Sequence, residues 1–252
     1  PVNVIARMLG FPTTDDEIFR GFVHDVIENV NVDPEERESA MQPLDQYLDR
    51  QIAEHRENPR DDLTSYLLNV EIDGNKLSHE HVRGSIVLLL IAGIDTTWSA
   101  IGSSLWHLAT NPDDLQRLVK EPELMTFAVE ELLRAYAPVT MARLVKEDHD
   151  FHGCPMKENQ WVLLPFPAAN RDPEFFEHAD EVRVDREENR HAAFGLGIHR
   201  CLGSNLARLE LRVAIEEFIA RFPAFALDGE VTWSVGQIRG PRELPVRINA
   251  LA

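Results

Sequence analysis

Cysteine is scarce in this sequence, which has only Cys154 and Cys201 among its 252 residues and no Cys-x-x-Cys pair. Two isolated cysteines exclude a disulfide-stapled scaffold and a zinc-finger arrangement. Internal repeats and low-complexity tracts are absent too, and no apolar run approaches the roughly 20 residues that a membrane-spanning helix needs. With 44% hydrophobic residues to form a core, the sequence predicts a soluble, cytoplasmic globular protein without a membrane partner.

Positive charge is also in short supply, since 25 lysines and arginines stand against 43 aspartates and glutamates, for a formal net charge of −18. Nucleic-acid phosphates would repel such an acidic chain, so no nucleic-acid partner is expected. Between residues 189 and 209, however, Arg190, Arg200 and Arg208 occur without any acidic residue. This basic segment predicts a docking surface for an acidic partner. The alternative is that the three arginines only solvate the start of the following helix or pair with the anionic groups of a bound ligand.

The most informative segment is 194–203, Phe-Gly-Leu-Gly-Ile-His-Arg-Cys-Leu-Gly, which places Cys201 among glycines. Glycines tolerate tight turns and the close approach of a ligand, and there are three: Gly195, Gly197 and Gly203. A helix is predicted next, over 204–222, from apolar residues at helical spacing: Leu206, Leu209, Val213 and Phe218. Free N–H groups at its N-terminus would stabilise a thiolate, although an isolated cysteine is more often a small buried hydrophobe.

A single long helix is predicted over 79–110, with Ser78 as its N-cap and Asn111-Pro112 as its stop. Its length at 1.5 Å per residue would be about 48 Å. An acid and alcohols interrupt its apolar stripe within 92–97, Ala-Gly-Ile-Asp-Thr-Thr, and are costly to bury unless hydrogen-bonded or functional. One face is expected to hold Leu88, Ala92, Asp95, Thr96 and Ser99. The competing interpretation is helix packing at Gly93 and a hydrogen bond from Thr96 to the backbone.

A glutamate and an arginine three residues apart, Glu131 and Arg134, lie on a helix predicted over about 123–136. Glu130 precedes Arg134 by four residues, so the spacing alone does not choose between the two glutamates. A solvated surface ion pair is the commoner reason for such charges.

These segments together resemble the cytochrome P-450 family: residues 194–203 its haem-binding motif, 92–97 its oxygen-activation motif, and 131–134 its Glu-x-x-Arg pair. The resemblance covers essentially the whole chain and implies a mainly α fold with small β-sheets. It implies the C-terminal portion of a single haem-binding domain, with haem between the long central helix and the cysteine loop. The family's catalytic unit is longer, so an N-terminal part would be absent, and helices within about 14–57 would form a mobile lid.

The resemblance implies a haem-thiolate monooxygenase that inserts one oxygen atom of O2 into a small apolar organic substrate, by hydroxylation or O-dealkylation. Cys201 would be the ligand of the iron in haem b, while Asp95 and Thr96 would guide protons. Arg143 and His199 would pair with the haem propionates. Further haem contacts are implied at Ala92, Phe194, Gly195 and Gly203.

The resemblance assigns other residues to substrate or structure. Substrate-facing positions would be Leu88, Ile91, Ala92, Val139, Met141, Gln237 and Ile238. Of the two glutamates it selects Glu131, whose pair with Arg134 would have a structural role, with Arg171, Arg186 or His191 as a third partner. Shorter elements are predicted from local patterns: a helix opening at 14–17 toward Val30, a second from Asp33 through Ile52, and strands over 144–151, 161–165 and within 231–248.

The chain looks most like bacterial soluble members, particularly those whose haem domain is fused to a flavin and iron–sulfur reductase. Electrons would come ultimately from NAD(P)H through FMN or FAD and an iron–sulfur partner, a ferredoxin or a fused reductase at the proximal face. Two alternatives remain, a peroxide-using peroxygenase and a non-catalytic haem-thiolate sensor. The retained pair Asp95-Thr96 favours the monooxygenase, because peroxide-using members typically replace it.

Overall fold

The computed structural model describes residues 1–23, 33–234 and 236–248, and the chain divides into two compact units, Pro1–Trp98 and Ser99–Ala252. Its α-helices are α1 (Val2–Leu9), α2 (Asp16–Val23), α3 (Pro34–Glu57), α4 (Leu63–Asn69), α5 (His79–Thr110), α6 (Pro112–Lys120), α7 (Met125–Ala135), α8 (Phe166–Ala169) and α9 (Ser204–Arg221). Short 3-10 helices cover Thr13–Asp15, Pro122–Leu124 and Gly197–His199. The predicted extension of α2 toward Val30 lies outside the described residues.

The strands form antiparallel two-stranded sheets. They are β1 (Glu71–Ile72), β2 (Asn75–Lys76), β3 (Thr140–Leu144), β4 (His149–Phe151), β5 (Cys154–Met156), β6 (Trp161–Pro165), β7 (Phe225–Leu227), β8 (Thr232–Trp233), β9 (Pro241–Glu243) and β10 (Val246–Ile248). The mainly α architecture with small sheets agrees with the predicted fold class.

The 1–98 unit has its own hydrophobic core. On α3, Leu44, Leu48 and Ile52 recur every four residues and are buried, which is the face that the sequence pattern predicts. They belong to one apolar cluster with residues of α1, α2 and the first part of α5. Gly93 of α5 is part of this packing, because a Cβ there would lie 2.7 Å from Ile5 Cδ1 of α1. The packing interpretation of Gly93 is therefore observed.

Helix α5 has the bounds that the sequence predicts, and Ser78 Oγ accepts a hydrogen bond from the N–H of His81 at 3.2 Å, as an N-cap does. By length and composition α5 could also cross a membrane, a test that the core helix of a soluble protein passes too. Successive residues turn by about 100°, so the five residues predicted to share one face lie within an arc of about 100°. Burial varies along this face: Leu88 and Ala92 are exposed, Thr96 is half-buried, and Asp95 and Ser99 are buried.

The core of the 99–252 unit forms where α7 and α9 pack together. Leu211, Ile215 and Ile219 are the buried apolar residues of α9, whereas the predicted Leu209 and Val213 are 57% and 46% exposed. Both sets have helical spacing, so the helix predicted from the first set is present, and its packing against α7 decides that the second set is buried.

The strands of two sheets, β3 to β6, follow α7 and precede α8 along the chain. Strand β3 pairs with β6 from Thr140 opposite Pro165 to Leu144 opposite Trp161. The strand predicted over 144–151 is wrong, because β3 ends at Leu144 and a separate hairpin of β4 and β5 follows. At the tip of that hairpin His152 and Gly153 both have positive φ, 50° and 84°, which fits the tight turn that matches strand twist.

Candidate functional site

The loop before α9 presents Cys201 on the surface. Gly195 and Gly197 have φ of +68° and +67°, in the left-handed region that favours glycine. The N–H of Cys201 donates to the carbonyl of Phe194 at 2.8 Å and closes the loop. Gly203, by contrast, has φ −82° and caps α9, so its backbone conformation does not require glycine. A Cβ there would lie 4.0 Å from Cys201 Sγ.

The surroundings of Cys201 suit a flat apolar ligand that contains a metal. Three apolar side chains of the same loop, Leu196, Ile198 and Leu202, are 72%, 97% and 93% exposed. The sulfur lies just before the N-terminus of α9, where the helix dipole places a partial positive charge. Within the described ranges, no three His, Cys, Asp or Glu side chains form a metal-binding group. Haem iron takes a single thiolate from the protein, so the residues present fit this group.

Arg143 and His199 have the chemistry that a propionate needs. Arg143 lies on β3 opposite Val162, is half-buried, and donates through Nη1 to the carbonyl of Ala142 at 2.8 Å. His199 ends the 3-10 helix in the cysteine loop and is exposed. In the described part of the chain, neither side chain has a carboxylate partner. Both remain available to an anion, to which a guanidinium binds as a fork.

Glu131 and Arg134 form a fully buried pair. Arg134 Nε donates to Glu131 Oε2 and Arg134 Nη2 to Glu131 Oε1, both at 2.8 Å, and both side chains have zero exposure. The third partner is Arg186, whose Nε donates to Glu131 Oε2 at 3.0 Å. Arg171 instead donates to the carbonyls of Ala135 and Asp180. His191 contacts Glu130.

Further contacts saturate this cluster, here called the Glu131 cluster. Glu131 also accepts from Asn189 Nδ2 at 2.9 Å and from the N–H of Arg183 at 2.8 Å. Arg134 gives its remaining N–H groups to backbone carbonyls of Asn170, Ala179 and Glu181. Burial would raise the pKa of Glu131, but the hydrogen bond from Arg134 and the other donors outweigh it and lower that pKa. The cluster holds the irregular chain over 170–189 against α7.

Glu130 makes a separate, partly exposed network. It accepts from Arg208 Nη2 at 2.9 Å and from His191 Nε2 at 3.0 Å, and the Arg208 guanidinium lies 4.5 Å from the centre of the Phe194 ring. Arg208 therefore supports the cysteine loop, and its predicted role as a docking charge is not supported because its charge is already paired. Arg190 and Arg200 are exposed and have no acidic partner among the described residues.

Glu130 is expected to make stability depend on acid pH. Burial raises the pKa of Glu130, but the hydrogen bonds from His191 and Arg208 have the larger effect and lower that pKa from 4.5 to about 2. Such a depressed pKa contributes stability above pH 4.5 that is lost as pH falls toward 2, about 3 kcal/mol in all. Denaturant unfolding across that range should show a smaller loss for Glu130→Gln than for the parent. Glu217→Gln, at the exposed pair with Arg221, is the control and should behave as the parent. The assignment would be contradicted if the free energy of unfolding fell equally with pH in all three proteins.

Asp95 and Thr96 are adjacent on α5 but differ in environment. The Asp95 side chain is buried, with 1% exposure, whereas Thr96 is half-buried and its Oγ1 donates to the carbonyl of Ala92 at 2.6 Å. The backbone-bonded form of Thr96 is therefore the one observed. Its proton is used within the helix, but its oxygen lone pairs remain able to accept a hydrogen bond from water or acid.

The predicted substrate-facing residues fall into two groups. On α5 of the 1–98 unit, Leu88 is 64% exposed and Ala92 is exposed, while Ile91 is half-buried. In the 99–252 unit the structure brings the other four residues together. Val139 forms a β-bridge with Ile238, the N–H of Thr140 donates to the carbonyl of Gln237 at 3.0 Å, and Gln237 Nε2 lies 3.6 Å from Met141 Sδ.

The family model described as Cytochrome P450 matches residues 22–233 of the chain. A curated relative, the probable cytochrome P450 127A1 of Sinorhizobium fredii, is 36% identical over 89% of this chain and 54% of its own length. The vitamin D(3) 25-hydroxylase of Pseudonocardia autotrophica is 37% identical over 98% of this chain and 62% of its own. The chain thus spans about half to two thirds of the length of these relatives.

Solved structures show the same similarity. The bacillaene polyketide synthase cytochrome P450 PksS of Bacillus subtilis matches with a TM-score of 0.93 and 34% identity, over 99% of this chain and 66% of that one. At this identity and coverage the likeness shows that the chain has the same fold.

Proposed function

This chain belongs to the cytochrome P450 family. From that membership we propose that it is the C-terminal portion of a haem-thiolate monooxygenase, which inserts one oxygen atom of O2 into a small apolar organic substrate. The observation that carries the proposal is the exposed Cys201 in a loop with two left-handed glycines, immediately before α9. Hydroxylation is the expected outcome, and next to an ether oxygen it would appear as O-dealkylation. The relative named as a hydroxylase supports this class of reaction. We assign the protein to the cytoplasm.

Haem b is the cofactor in this proposal, and Cys201 would hold its iron. When bound, the haem supplies the redox centre at which O2 is reduced, with thiolate electron donation favouring O–O cleavage. Arg143 and His199 would hold the propionates, since neither has a carboxylate partner in the described residues. Other contacts follow the family positions: Ala92, Phe194, Gly195 and Gly203.

Asp95 and Thr96 would move protons. Reduction of O2 to water and product consumes two protons, and a site that excludes bulk water must obtain them through polar groups of the protein. The Thr96 oxygen can order a water while its own proton is held by the carbonyl of Ala92. The carboxyl of Asp95, one residue earlier and buried, would transfer the proton inward from solvent. This assignment is separate from the packing role of Gly93.

The substrate would meet mostly apolar side chains. Leu88 and Ile91 present aliphatic surface on α5, and the other apolar members of the set are Val139, Met141 and Ile238. Burial of a substrate against such groups is driven by the loss of apolar surface to water. Gln237 is the polar member of this set and would orient a hydroxyl or carbonyl group of the substrate.

Electrons would come from NAD(P)H through FMN or FAD and an iron–sulfur partner, either a ferredoxin or a fused reductase. The docking surface proposed for it is the proximal face around the cysteine loop, with Arg190 and Arg200 as the available cations. Opposite charges speed encounter with an acidic partner, and the exposed Leu196, Ile198 and Leu202 supply apolar contact.

The test of the proposed function is the coupling of oxygen consumption to product. Thr96→Ala should keep haem and substrate binding but divert oxygen to hydrogen peroxide, lowering product per reductant by about tenfold, because the hydroxyl oxygen that orders the proton-delivering water is lost. Asp95→Asn should instead slow oxygen consumption itself. Reductant, oxygen, peroxide and product are measured in parallel in the haem-loaded protein with its reductase.

Thr110→Ala is the matched control for Thr96→Ala. Thr110 Oγ1 makes the same bond four residues back, to the carbonyl of Trp106 at 2.9 Å, near the end of α5. It should leave coupling unchanged. If Thr96→Ala remains as coupled as Thr110→Ala, Thr96 has only a packing role and the proton route lies elsewhere.

A further inference from the structure

Three oxidisable aromatic rings lie in series in the 99–252 unit. Trp233 of β8 packs edge-on against Trp106 of α5 with ring centres 5.3 Å apart, and Trp106 packs edge-on against Tyr136, the C-cap of α7, at 5.7 Å. Indole and phenol rings are the aromatic side chains that lose an electron most readily. Rings in direct contact exchange an electron more readily than separated ones, so the three form a continuous path.

The path ends at a hydrogen-bonded chain. Tyr136 Oη lies 2.8 Å from His107 Nδ1, and His107 Nε2 lies 2.8 Å from Asp114 Oδ2. A carboxylate only accepts, so His107 carries its proton on Nε2, and Nδ1 is left to accept from the Tyr136 hydroxyl. Asn111 Nδ2, 3.3 Å from the same Nδ1, is also a donor. The His107 side chain is 3% exposed and Asp114 21%, so the chain leads from the interior to solvent.

Tyr136 differs from both other tyrosines of the chain. Tyr66 is 62% exposed, and the rings around Tyr47 are Phe11, Phe19 and no indole among the described residues. Tyr47 also donates to a carboxylate, Asp15, at 2.8 Å. Burial raises the pKa of Tyr136 above its usual value, so the phenol keeps its proton at neutral pH. Among the three tyrosines, Tyr136 alone combines a tryptophan neighbour with an imidazole acceptor.

We propose that Trp233, Trp106, Tyr136 and His107 form an oxidation relay, which carries a one-electron oxidising equivalent to Tyr136 and disposes of it there. A one-electron oxidant of the oxygen-radical class, such as the carbonate radical, takes an electron from Trp233 and is reduced to its anion. Trp106 then gives an electron to Trp233, and Tyr136 gives one to Trp106. As the phenol loses that electron its proton moves to His107 Nδ1, because a phenol radical cation is a very strong acid. A small reductant of the thiol or ascorbate class then donates one electron, and His107 returns the proton to Tyr136.

The surroundings give the relay a direction. The Arg239 guanidinium lies 4.9 Å from the centre of the Trp233 ring, and a nearby cation disfavours a positive charge on that ring. At the other end, Asp114 stabilises the imidazolium that forms on His107. An oxidising equivalent on Trp233 therefore moves toward Tyr136. The relay is independent of the proposed monooxygenase reaction and needs neither substrate nor reductase.

The experiment oxidises the full chain with a photogenerated ruthenium tris-bipyridine oxidant and follows the phenoxyl radical by transient absorption and EPR. Tyr66→Phe serves as the background, since the exposed Tyr66 would react directly with the oxidant. In this background Tyr136→Phe should remove most of the phenoxyl signal, and Tyr47→Phe should leave it. Exchange into D2O should slow radical formation at Tyr136, because the proton moves with the electron.

Separate variants test the two halves of the relay. Trp106→Phe should slow radical formation several-fold, whereas Trp161→Phe, at a 73% exposed tryptophan outside the relay, should not. His107→Gln should slow it by about 10²-fold through loss of the base. Asp114→Asn keeps the rings of Tyr136 and His107 and should also slow radical formation. This second variant tests the base if circular dichroism shows that His107→Gln folds poorly. A signal that survives Tyr136→Phe, or equal effects of Trp106→Phe and Trp161→Phe, would overturn the relay.

Discussion

Cys201→Ser is expected to abolish the red-shifted Soret band that reduced, thiolate-ligated haem shows with carbon monoxide. The band depends on electron donation from a thiolate, and a serine oxygen does not replace the sulfur as a donor. The substitution changes a single atom in an exposed loop whose glycines and backbone bonds stay in place. The loss should therefore be complete while the secondary structure, followed by circular dichroism, remains that of the parent.

Cys154→Ser provides the matched control. Cys154 is the other cysteine of the chain, is also exposed, and lies on β5 in the hairpin that follows β3. It should keep the full carbon monoxide band. If Cys201→Ser retains the band while Cys154→Ser loses it, the ligand has been assigned to the wrong cysteine.

Arg134→Ala is expected to leave almost no folded, haem-loaded protein. Removing one partner of a buried ion pair leaves an uncompensated charge and costs about 3 to 5 kcal/mol. Here the loss also frees three backbone carbonyls that Arg134 satisfies, those of Asn170, Ala179 and Glu181. Since whole proteins are stable by only about 5 to 15 kcal/mol, the variant should lose most of its folding free energy. Denaturant unfolding and haem content measure the effect.

Arg117→Ala shows how much of the stability loss in Arg134→Ala depends on the burial of the ion pair. Arg117 Nη2 donates to Asp185 at 3.0 Å, but both side chains are 40% exposed, and such a surface pair contributes less than about 1 kcal/mol. A large loss for Arg134→Ala beside a small loss for Arg117→Ala would support a structural role for the Glu131 cluster. Normal haem content with reduced turnover in Arg134→Ala would instead place the pair in catalysis.

The sequence predicts α5 well because its boundaries are set locally. Ser78 and Asn111-Pro112 are strong start and stop residues, and no proline interrupts the segment between them. The buried face of α9 could not be predicted in the same way. Apolar residues at both 209/213 and 211/215/219 satisfy helical spacing, and only the packing against α7 decides between them.

The site was predictable where the chemistry is local to one motif. Cys201 and its glycines stand together in the sequence, whereas Arg186 and Asn189 reach Glu131 across 55 and 58 residues without any local pattern. The basic segment carries less unpaired charge in the fold than along the sequence, because Arg208 pairs with Glu130, 78 residues earlier. Counting charges along the sequence does not show which of them pair in the folded chain. The oxidation relay likewise unites residues of α5, the C-terminal end of α7 and β8, and β8 is distant from the other two in sequence.

The Glu131 cluster also bears on the order in which the chain folds. Its carboxylate joins α7 to residues 52 to 58 positions later, in a stretch with little regular secondary structure. Closing a loop of that length costs on the order of 3 to 4 kcal/mol before any contact is gained. The α7 helix forms from neighbours in sequence, so it precedes this closure. The segment that leads into the cysteine loop therefore becomes ordered late, and in one cooperative step, because a partly assembled cluster leaves buried charge unpaired.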